Sequence, residues 1–401
     1  MIQRTAESTL KRLWKGFPII GLNGPRQAGK TTLAREIAPD KPYVSLEDPG
    51  QLEFAASDPR GFLKRYPDGA IFDEIQRAPA LFSYLQTQVD LDGRMGLFLL
   101  TGSRQFELTA KLTQSLAGRI GMVNLLPFSH EEMLAAKVSP QTLSAALFVG
   151  GYPPLIVRDL TPGDWFASYV VSYLERDVRQ VIQVGDLATF QRFLRLTAGR
   201  TGQLVNFNNL AADTGITRNT ASAWFSVLET SGIAFQLPPY FSNSSKRLIK
   251  TSKLYFYDTG LVCWLLGIQN AGQLATHPLR GAIFETWVIS EVAKAFCHRG
   301  RRPPLFFWKD KEGNEVDLLI EHPNGIIPVE VKSGETVGSD FFSNLLKWRK
   351  FSKSPADTPP GWLVYGGDRG EERTHGRVCA WSELNALTDA AVAGLTRKKS
   401  T

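Results

Sequence analysis

A glycine-rich segment early in the chain has the spacing of a phosphate-binding loop. It reads G-x-x-x-x-G-K-T, with a predicted strand, Phe17–Leu22, before it and a predicted helix, Lys30–Ala38, after it. In this setting backbone N–H groups surround phosphate oxygens and the helix N-terminus adds a favourable dipole. We expect Lys30 to reach the β- and γ-phosphates of a nucleotide and the Thr31 hydroxyl to ligate Mg²⁺. The predicted nucleotide-binding residues are Gly24, Pro25, Arg26, Gln27, Ala28, Gly29, Lys30, Thr31 and Thr32.

Two carboxylates end the next apolar strand, in Ala70-Ile71-Phe72-Asp73-Glu74. Asp73 is expected to hold Mg²⁺, directly or through water, and Glu74 to polarise the attacking water. The alternative is a strand end that happens to be capped by acidic residues. A glutamate at this place favours hydrolysis of the nucleotide over phosphoryl transfer to a small acceptor, so a small-molecule kinase is disfavoured.

A third predicted strand, Leu97–Leu100, also ends in polar residues. Ser103 is the preferred candidate to orient water against the γ-phosphate, and Thr101 is the alternate; simple turn chemistry is an equal explanation. Arg119 lies just before the predicted strand Ile120–Leu126, where a cation can stabilise the charge on a transferred phosphoryl group. A surface arginine in a loop is the other interpretation.

Residues 17–135 resemble an AAA+-type P-loop ATPase. In that family Asp-Glu closes the Walker B strand, a polar sensor ends the next strand, and an arginine finger precedes the fifth. The resemblance implies ATP as the nucleotide and Mg²⁺ as its cofactor. Because the finger usually acts on a neighbouring subunit's nucleotide, it also implies a homo-oligomer. The matching residues are Lys30, Thr31, Asp73, Glu74, Ser103 and Arg119.

A second group of chemically active residues lies near the C-terminus. Asp317 and Glu330 fall in two neighbouring predicted strands, and Lys332 shares a strand face with Glu330. A carboxylate from each strand can hold one hard cation, Mg²⁺ or Mn²⁺, while Lys332 positions or activates a water. Glu285, on the predicted helix Ala282–Glu291, can add a further carboxylate.

This pattern resembles the PD-(D/E)XK nuclease superfamily, whose core is a helix, three strands, a helix and a strand. Asp317, Glu330 and Lys332 match its D…E-x-K pattern, and Glu285 matches its helical acidic position. The resemblance implies a metal-dependent deoxyribonuclease. Two alternatives stay open: the charged strand residues are simply solvated, or the fold is correct and the nuclease is inactive.

The middle of the chain resembles a winged helix. Predicted helices at Asn209–Asp213 and Thr217–Thr230 are followed by predicted strands at Ile233–Leu237 and Lys253–Tyr257. The functional interpretation is DNA binding, with the second helix in the major groove and the basic loop on phosphates. The alternative is a packing module or subunit contact. The basic residues of the loop are Lys246, Arg247 and Lys250.

The composition limits the class of protein that carries these residues. The chain has 401 residues, of which 43% are hydrophobic and 21% charged, which excludes a wholly disordered or coiled-coil protein. A net charge of +7 suits a polyanionic partner. Three widely spaced cysteines favour a reducing cytosol, and we find neither a signal peptide nor an apolar run long enough for a bilayer. A soluble cytoplasmic protein without a membrane partner is therefore expected.

Alternating short strands and helices predict an α/β fold with a parallel sheet for the P-loop region. The predicted domains are an AAA+-like P-loop ATPase domain (1–135), a helical linker or lid (136–200), a winged-helix-like domain (201–257) and an α/β nuclease-like domain with a basic tail (258–401).

The whole order also resembles a prokaryotic family that pairs an AAA+-like ATPase with a C-terminal domain of unknown function. Gly150-Gly151-Tyr152-Pro153 and Tyr173-Leu174-Glu175-Arg176-Asp177 resemble its connecting motifs. We therefore expect an ATP-hydrolysing protein that couples nucleotide state to a DNA-directed, metal-dependent nuclease module. The alternative is a nucleotide-dependent switch or interaction protein whose nuclease-like domain is inactive.

Overall fold

The chain divides into two compact units. A computed structural model describes residues 2–103, 116–158, 160–174, 187–240, 251–352 and 359–393. Unit 1 comprises Met1–Phe128, Thr230–Gly232 and Cys297–Arg302, and unit 2 comprises Ser129–Glu229, Ile233–Phe296 and Pro303–Thr401. Several residues named above lie outside the described residues: Lys246, Arg247 and Lys250 of the basic loop, residues 175–177 of the second connecting motif, and the basic tail from residue 396.

Unit 1 is built on a parallel sheet with the order β2-β3-β4-β1-β5. The sequence predicted four of these strands and missed β2, which has only three residues. Every residue of β1, β3 and β4 is buried, as expected for a parallel sheet that is covered on both faces. The strands are β1 (Ile19–Asn23), β2 (Tyr43–Ser45), β3 (Ala70–Asp73), β4 (Phe98–Gly102) and β5 (Ile120–Asn124).

Helices cover both faces of this sheet. Alternate strand residues point to opposite faces, so Ile19 and Phe72 pack in one apolar cluster while Ile20 and Ile71 pack in another. The described helices of unit 1 are α1 (Ala6–Trp14), α2 (Lys30–Ile37), α3 (Pro49–Ser57), α4 (Pro59–Lys64) and α5 (Leu81–Asp92), with a 3₁₀ turn at Ile75–Arg77.

Unit 2 begins with helices. Its first connecting motif is tied to a later helix, because the Asp258 carboxylate accepts hydrogen bonds from the backbone N–H groups of Gly151 (2.8 Å) and Leu261 (3.0 Å). The helices up to this point are α6 (His130–Ala135), α7 (Leu143–Val149), α8 (Pro153–Val157), α9 (Pro162–Tyr169), α10 (Leu187–Ala198), α11 (Phe207–Thr214) and α12 (Arg218–Thr230), with a π-helical turn at Val170–Leu174.

The predicted helix, turn, helix and hairpin are all present in the middle segment. Gly215 ends α11 with φ +81°, and α12 leads to an antiparallel pair, β6 (Ala234–Leu237) and β7 (Lys253–Phe256). Trp224 and Phe225 of α12 are buried, which explains why this helix carries aromatic residues.

The rest of unit 2 consists of three helices, three antiparallel strands, a helix, three further strands and a final helix. The mixed sheet has the order β12-β13-β11-β10-β9-β8, with β10 and β11 parallel. The elements are α13 (Thr259–Leu265), α14 (Ala271–Ala275), α15 (Arg280–Cys297), β8 (Leu305–Lys309), β9 (Glu315–His322), β10 (Gly325–Lys332), α16 (Ser343–Phe351), β11 (Trp362–Tyr365), β12 (Glu371–Arg373), β13 (Gly376–Ala380) and α17 (Asn385–Val392), with 3₁₀ turns at Ser339–Phe342 and Trp381–Glu383.

One titratable side chain is enclosed in the core of unit 2. The ring of His130 lies against those of Trp287 and Trp381, at centroid distances of 5.2 and 5.7 Å. Burial lowers the pKa of His130, although the nearby Glu291 carboxylate raises it in part. The folded environment therefore favours the neutral form of His130.

Among the described residues, no helix is both long enough and apolar enough to span a lipid bilayer.

Candidate functional site

The phosphate-binding loop connects β1 to α2 and is shaped by its glycines. Gly24 has φ +148°, and a Cβ there would lie 1.9 Å from the Leu125 carbonyl oxygen, so no larger residue fits. Gly29, which precedes α2, has φ +92°. Gln27, between them, also has a positive φ of +63°. The loop thus has the backbone that the sequence motif requires.

A buried arginine from the N-terminal segment, not identified from the sequence, supports this loop. Arg4 donates to the Ala28 carbonyl (2.8 Å) and to the Leu126 carbonyl (2.7 Å), which joins the loop to the chain after β5. Arg26 makes an ion pair with Glu47 at 3.4 Å, and Thr32 lies exposed on the first turn of α2.

The two P-loop residues with assigned roles lie in the first turn of α2. The buried Lys30 ammonium donates to the carbonyls of Gly24 (2.9 Å) and Pro25 (2.8 Å). The Thr31 hydroxyl donates to Asp73 Oδ2 at 3.0 Å. A hydroxyl and a carboxylate held together in this way are the hard oxygen donors that Mg²⁺ prefers, so the site fits this ion.

Asp73 is surrounded by hydroxyl groups. Besides Thr31, the Tyr43 hydroxyl donates to Oδ2 at 2.6 Å and the Thr101 hydroxyl donates to Oδ1. Burial, followed by the hydrogen bond to Asp73, raises the pKa of Tyr43 to about 12. Tyr43 was not identified from the sequence, because it lies on the short strand β2 that the pattern did not reveal.

Glu74 follows Asp73 with φ +55°, a backbone conformation that a non-glycine residue adopts only when its surroundings hold it there. Its carboxylate accepts from the Ser103 hydroxyl at 3.1 Å and from the Gln76 amide. The sequence offered Ser103 and Thr101 as alternatives for one role. The structure brings both to the strand ends, where each binds a different carboxylate.

Arg119 lies at the start of β5 and pairs with a residue of α5. It forms two hydrogen bonds with the Asp90 carboxylate, one of them 2.8 Å from Nη2 to Oδ2, and a third with the Ala117 carbonyl at 3.1 Å. Both side chains of this pair are substantially exposed.

In unit 2, a bulge in the sheet places Asp317. Phe306 pairs with Leu319 and Trp308 with Val316, so Phe307 alone faces both Asp317 and Leu318. Such bulges redirect side chains. The Asp317 carboxylate accepts a hydrogen bond from the backbone N–H of Val331 at 2.8 Å and thereby joins β9 to β10.

Glu330 and Lys332 of β10 form an ion pair, with Lys332 Nζ 2.6 Å from Glu330 Oε1. The Asn344 amide of α16 also donates to Oε1, at 3.3 Å. Glu330 is only 2% exposed, and its Oε2 has no hydrogen-bond partner among the residues that the structure describes. Burial raises the pKa of Glu330, although the Lys332 charge lowers it in part.

Glu285 approaches from α15 and completes what we call the carboxylate cluster: Glu285, Asp317 and Glu330. Burial, with the charges of Glu285 and Glu330, raises the pKa of Asp317 well above its usual range. Within the described part of the chain, however, no three His, Cys, Asp or Glu side chains stand in a metal-binding arrangement.

Residues that sequence reasoning did not identify contact the carboxylate cluster. Glu285 accepts hydrogen bonds from Lys253 Nζ (3.0 Å) and from the Tyr255 hydroxyl, both on β7. Lys253 makes a second ion pair with Glu315. In the sequence, the only sign of these contacts is a lysine in an otherwise apolar strand.

Three regions of the chain match models of known protein families. Residues 16–134 match the family model described as AAA domain, residues 140–272 match Domain of unknown function (DUF8612), and residues 280–384 match Domain of unknown function (DUF4143). The region 16–134 is therefore an AAA-type P-loop ATPase domain.

Two mycobacterial proteins are similar to most of the chain. The uncharacterized protein Rv2008c of Mycobacterium tuberculosis and the uncharacterized protein Mb2031c of Mycobacterium bovis are each 30% identical to it over 337 residues, which is 83% of this chain and 74% of theirs. Among solved structures, a Walker-type ATPase of Pyrococcus abyssi is 17% identical, with a TM-score of 0.45, and the match covers 66% of this chain and 96% of that one.

Proposed function

This chain belongs to the family of those two mycobacterial proteins, and we propose that it is an ATPase that hydrolyses ATP at the strand ends of unit 1. The observation that carries the proposal is the division of labour between two adjacent carboxylates. Asp73 is bound by Thr31 of the P-loop, whereas Glu74 is bound by Ser103 of the next strand.

Each residue has a distinct task in this proposal. Lys30 and the loop N–H groups bind the β- and γ-phosphates, while Glu74 orients and polarises the attacking water. Thr31 and Asp73 would hold Mg²⁺, which neutralises phosphate charge when it is bound. Ser103 restrains the Glu74 carboxylate. Arg119 is proposed to stabilise the transferred phosphoryl group of a neighbouring subunit, so that the active form is a homo-oligomer.

The test separates ATP binding from ATP hydrolysis. Lys30→Ala removes a ground-state phosphate contact and should weaken ATP binding. Glu74→Gln keeps the shape of the side chain but loses the base, so it should bind ATP normally and retain it unhydrolysed. Nucleotide affinity and phosphate release are measured for both variants. Normal turnover by Glu74→Gln would remove Glu74 from the mechanism.

A second proposed function is metal-dependent cleavage of DNA by unit 2. Support comes from the order helix, three strands, helix, strand, from the ion pair between Lys332 and Glu330, and from the hydrogen bond that joins Asp317 to β10. The carboxylates would hold Mg²⁺ or Mn²⁺, and Lys332 would position a water. DNA would be bound by the middle helix-turn-helix and hairpin, acting as a winged helix. The competing function is a nucleotide-dependent switch in which this domain binds partners without cutting.

Cleavage distinguishes these two functions. Linear and branched DNA are incubated with the full chain, ATP and either Mn²⁺ or Ca²⁺. Cutting with Mn²⁺ that disappears in Asp317→Ala, while ATP hydrolysis persists, supports a nuclease. Absence of cutting under every condition supports the switch.

The three cysteines are free and buried, which agrees with a proposed cytosolic location.

A further inference from the structure

Lys253 is the most buried of the three lysines around the carboxylate cluster, which are Lys253, Lys309 and Lys332. It comes from β7 and is 4% exposed, and its ammonium contacts both Glu285 and Glu315. Tyr255, two residues further along β7, points to the same face of the strand and also donates to Glu285. One strand of the hairpin thus provides two donors to the carboxylate that the nuclease pattern assigns to a metal.

Acidic and basic side chains are paired throughout this region. Lys253 contacts Glu285 and Glu315, Lys309 contacts Glu315, and Lys332 contacts Glu330. Three lysines thus meet four acidic residues, because Asp317 lies on β9 beside Glu315 and accepts from the backbone N–H of Val331.

A second observation concerns a buried acceptor of the cluster. Glu330 Oε2 is buried without a hydrogen-bond partner among the described residues, and a buried carboxylate oxygen in that state is costly. Its neighbouring oxygen, Oε1, is bound by both Lys332 and Asn344. A cation at Oε2 would satisfy this buried acceptor.

We propose that Lys253 is an internal counter-ion that occupies Glu285, and that the carboxylate cluster binds a divalent cation tightly only when the Lys253 ammonium is removed. A cation of charge +2 has to compete with an ammonium already held at 3.0 Å from Glu285 Oε1. The proposal takes its class of cation from the proposed nuclease function, but it concerns metal binding and does not depend on DNA cleavage.

The experiment is a Mn²⁺ titration of the full chain without nucleotide, followed by the electron paramagnetic resonance signal of free Mn²⁺. Lys253→Met keeps the apolar stem and should bind Mn²⁺ at least about tenfold more tightly than the wild type, because one unit charge has left a site of low dielectric. Lys253→Arg keeps the positive charge and should bind Mn²⁺ as weakly as the wild type does. Lys309→Met is the matched control, since Lys309 pairs with Glu315 at 2.7 Å but does not contact Glu285.

Two further variants test whether the tighter Mn²⁺ binding of Lys253→Met takes place at the carboxylate cluster. Adding Asp317→Asn or Glu330→Gln to Lys253→Met should remove the gain in affinity, whereas binding at the P-loop would be unaffected. Equal Mn²⁺ affinity in the wild type and Lys253→Met overturns the proposal, and so does a gain that survives Asp317→Asn.

The stability of the variant provides a second readout. Lys253→Met leaves buried carboxylates unpaired, so Mn²⁺ should raise its melting temperature more than it raises that of the wild type. An equal effect on both proteins contradicts the proposal. Tight Mn²⁺ binding by Lys253→Met without DNA cleavage would refute only the nuclease function.

Discussion

Replacing Ser103 with alanine tests whether the hydroxyl at the end of β4 serves catalysis rather than folding. Ser103 donates a 3.1 Å hydrogen bond to Glu74 Oε2, while Thr101, two residues earlier, serves Asp73. Ser103→Ala should therefore leave Glu74 less well oriented toward water without disturbing Thr31 and Asp73, the proposed magnesium ligands. Thr101→Val removes the hydrogen bond to Asp73 and should instead weaken Mg²⁺ binding.

The size of the effect follows from the type of bond. A hydrogen bond to a charged group contributes about 1.5–3 kcal/mol. Each 1.36 kcal/mol corresponds to a factor of ten in rate, so the loss in kcat is about 10- to 150-fold. Because the role proposed for Glu74 is to orient the attacking water and not to bind the ground-state nucleotide, KM for ATP should change little.

The assay is steady-state phosphate release with varied ATP and varied Mg²⁺. Ser103→Ala should lower kcat at every Mg²⁺ concentration, whereas Thr101→Val should raise the Mg²⁺ concentration needed for half-maximal rate. Ser57→Ala, an exposed serine at the end of α3, is the control and should behave as the wild type. Full kcat in Ser103→Ala, or a loss that saturating Mg²⁺ restores, would refute the reasoning.

The remaining predictions address other parts of the molecule. Arg119→Ala should lower turnover with little loss of ATP affinity, and mixing it with Glu74→Gln should restore some activity; a fully active monomer would contradict action between subunits. Tyr43→Phe removes one donor from Asp73 and should raise the Mg²⁺ concentration for half-maximal ATPase by about two- to tenfold, and an unchanged Mg²⁺ titration would show that this bond is dispensable. The pKa of His130 is lowered in the folded state, so the unfolded chain takes up the proton first as pH falls below about 6.5 and stability declines there. In urea unfolding, His130→Gln should lose less stability than the wild type between about pH 7.5 and pH 5.5, and equal losses would show that another group is responsible.

The exposed ion pair of Arg119 and Asp90 provides an internal control for the subunit experiment. Exposed pairs are weakened by salt and by solvation, so Arg119 can exchange Asp90 for another partner without large loss of stability. Asp90→Asn should therefore retain turnover where Arg119→Ala does not. Equal losses in both variants would mean that the pair acts by supporting the fold.

The order of elements and the backbone of the P-loop could be predicted from the sequence because both are local properties. A glycine pattern between a strand and a helix specifies its own backbone, and Gly24 and Gly29 adopt the positive φ values that the pattern requires. An apolar run that ends in Asp73 and Glu74 specifies a buried strand with carboxylates at its end. The match to Glu330 and Lys332 was likewise a pair of residues within one strand, and Asp317 is a single residue of the strand before it.

Only the tertiary structure decided which side chains meet. Strand order set Tyr43 beside Asp73 and gave Thr101 and Ser103 different partners, because β2, β3 and β4 are neighbours in the sheet although they are distant in the chain. The bulge that aims Asp317 is a property of the pairing between β8 and β9. Lys253 reaches Glu285 across 32 residues of sequence. Such contacts depend on packing between elements, and neither composition nor periodicity within one element encodes them.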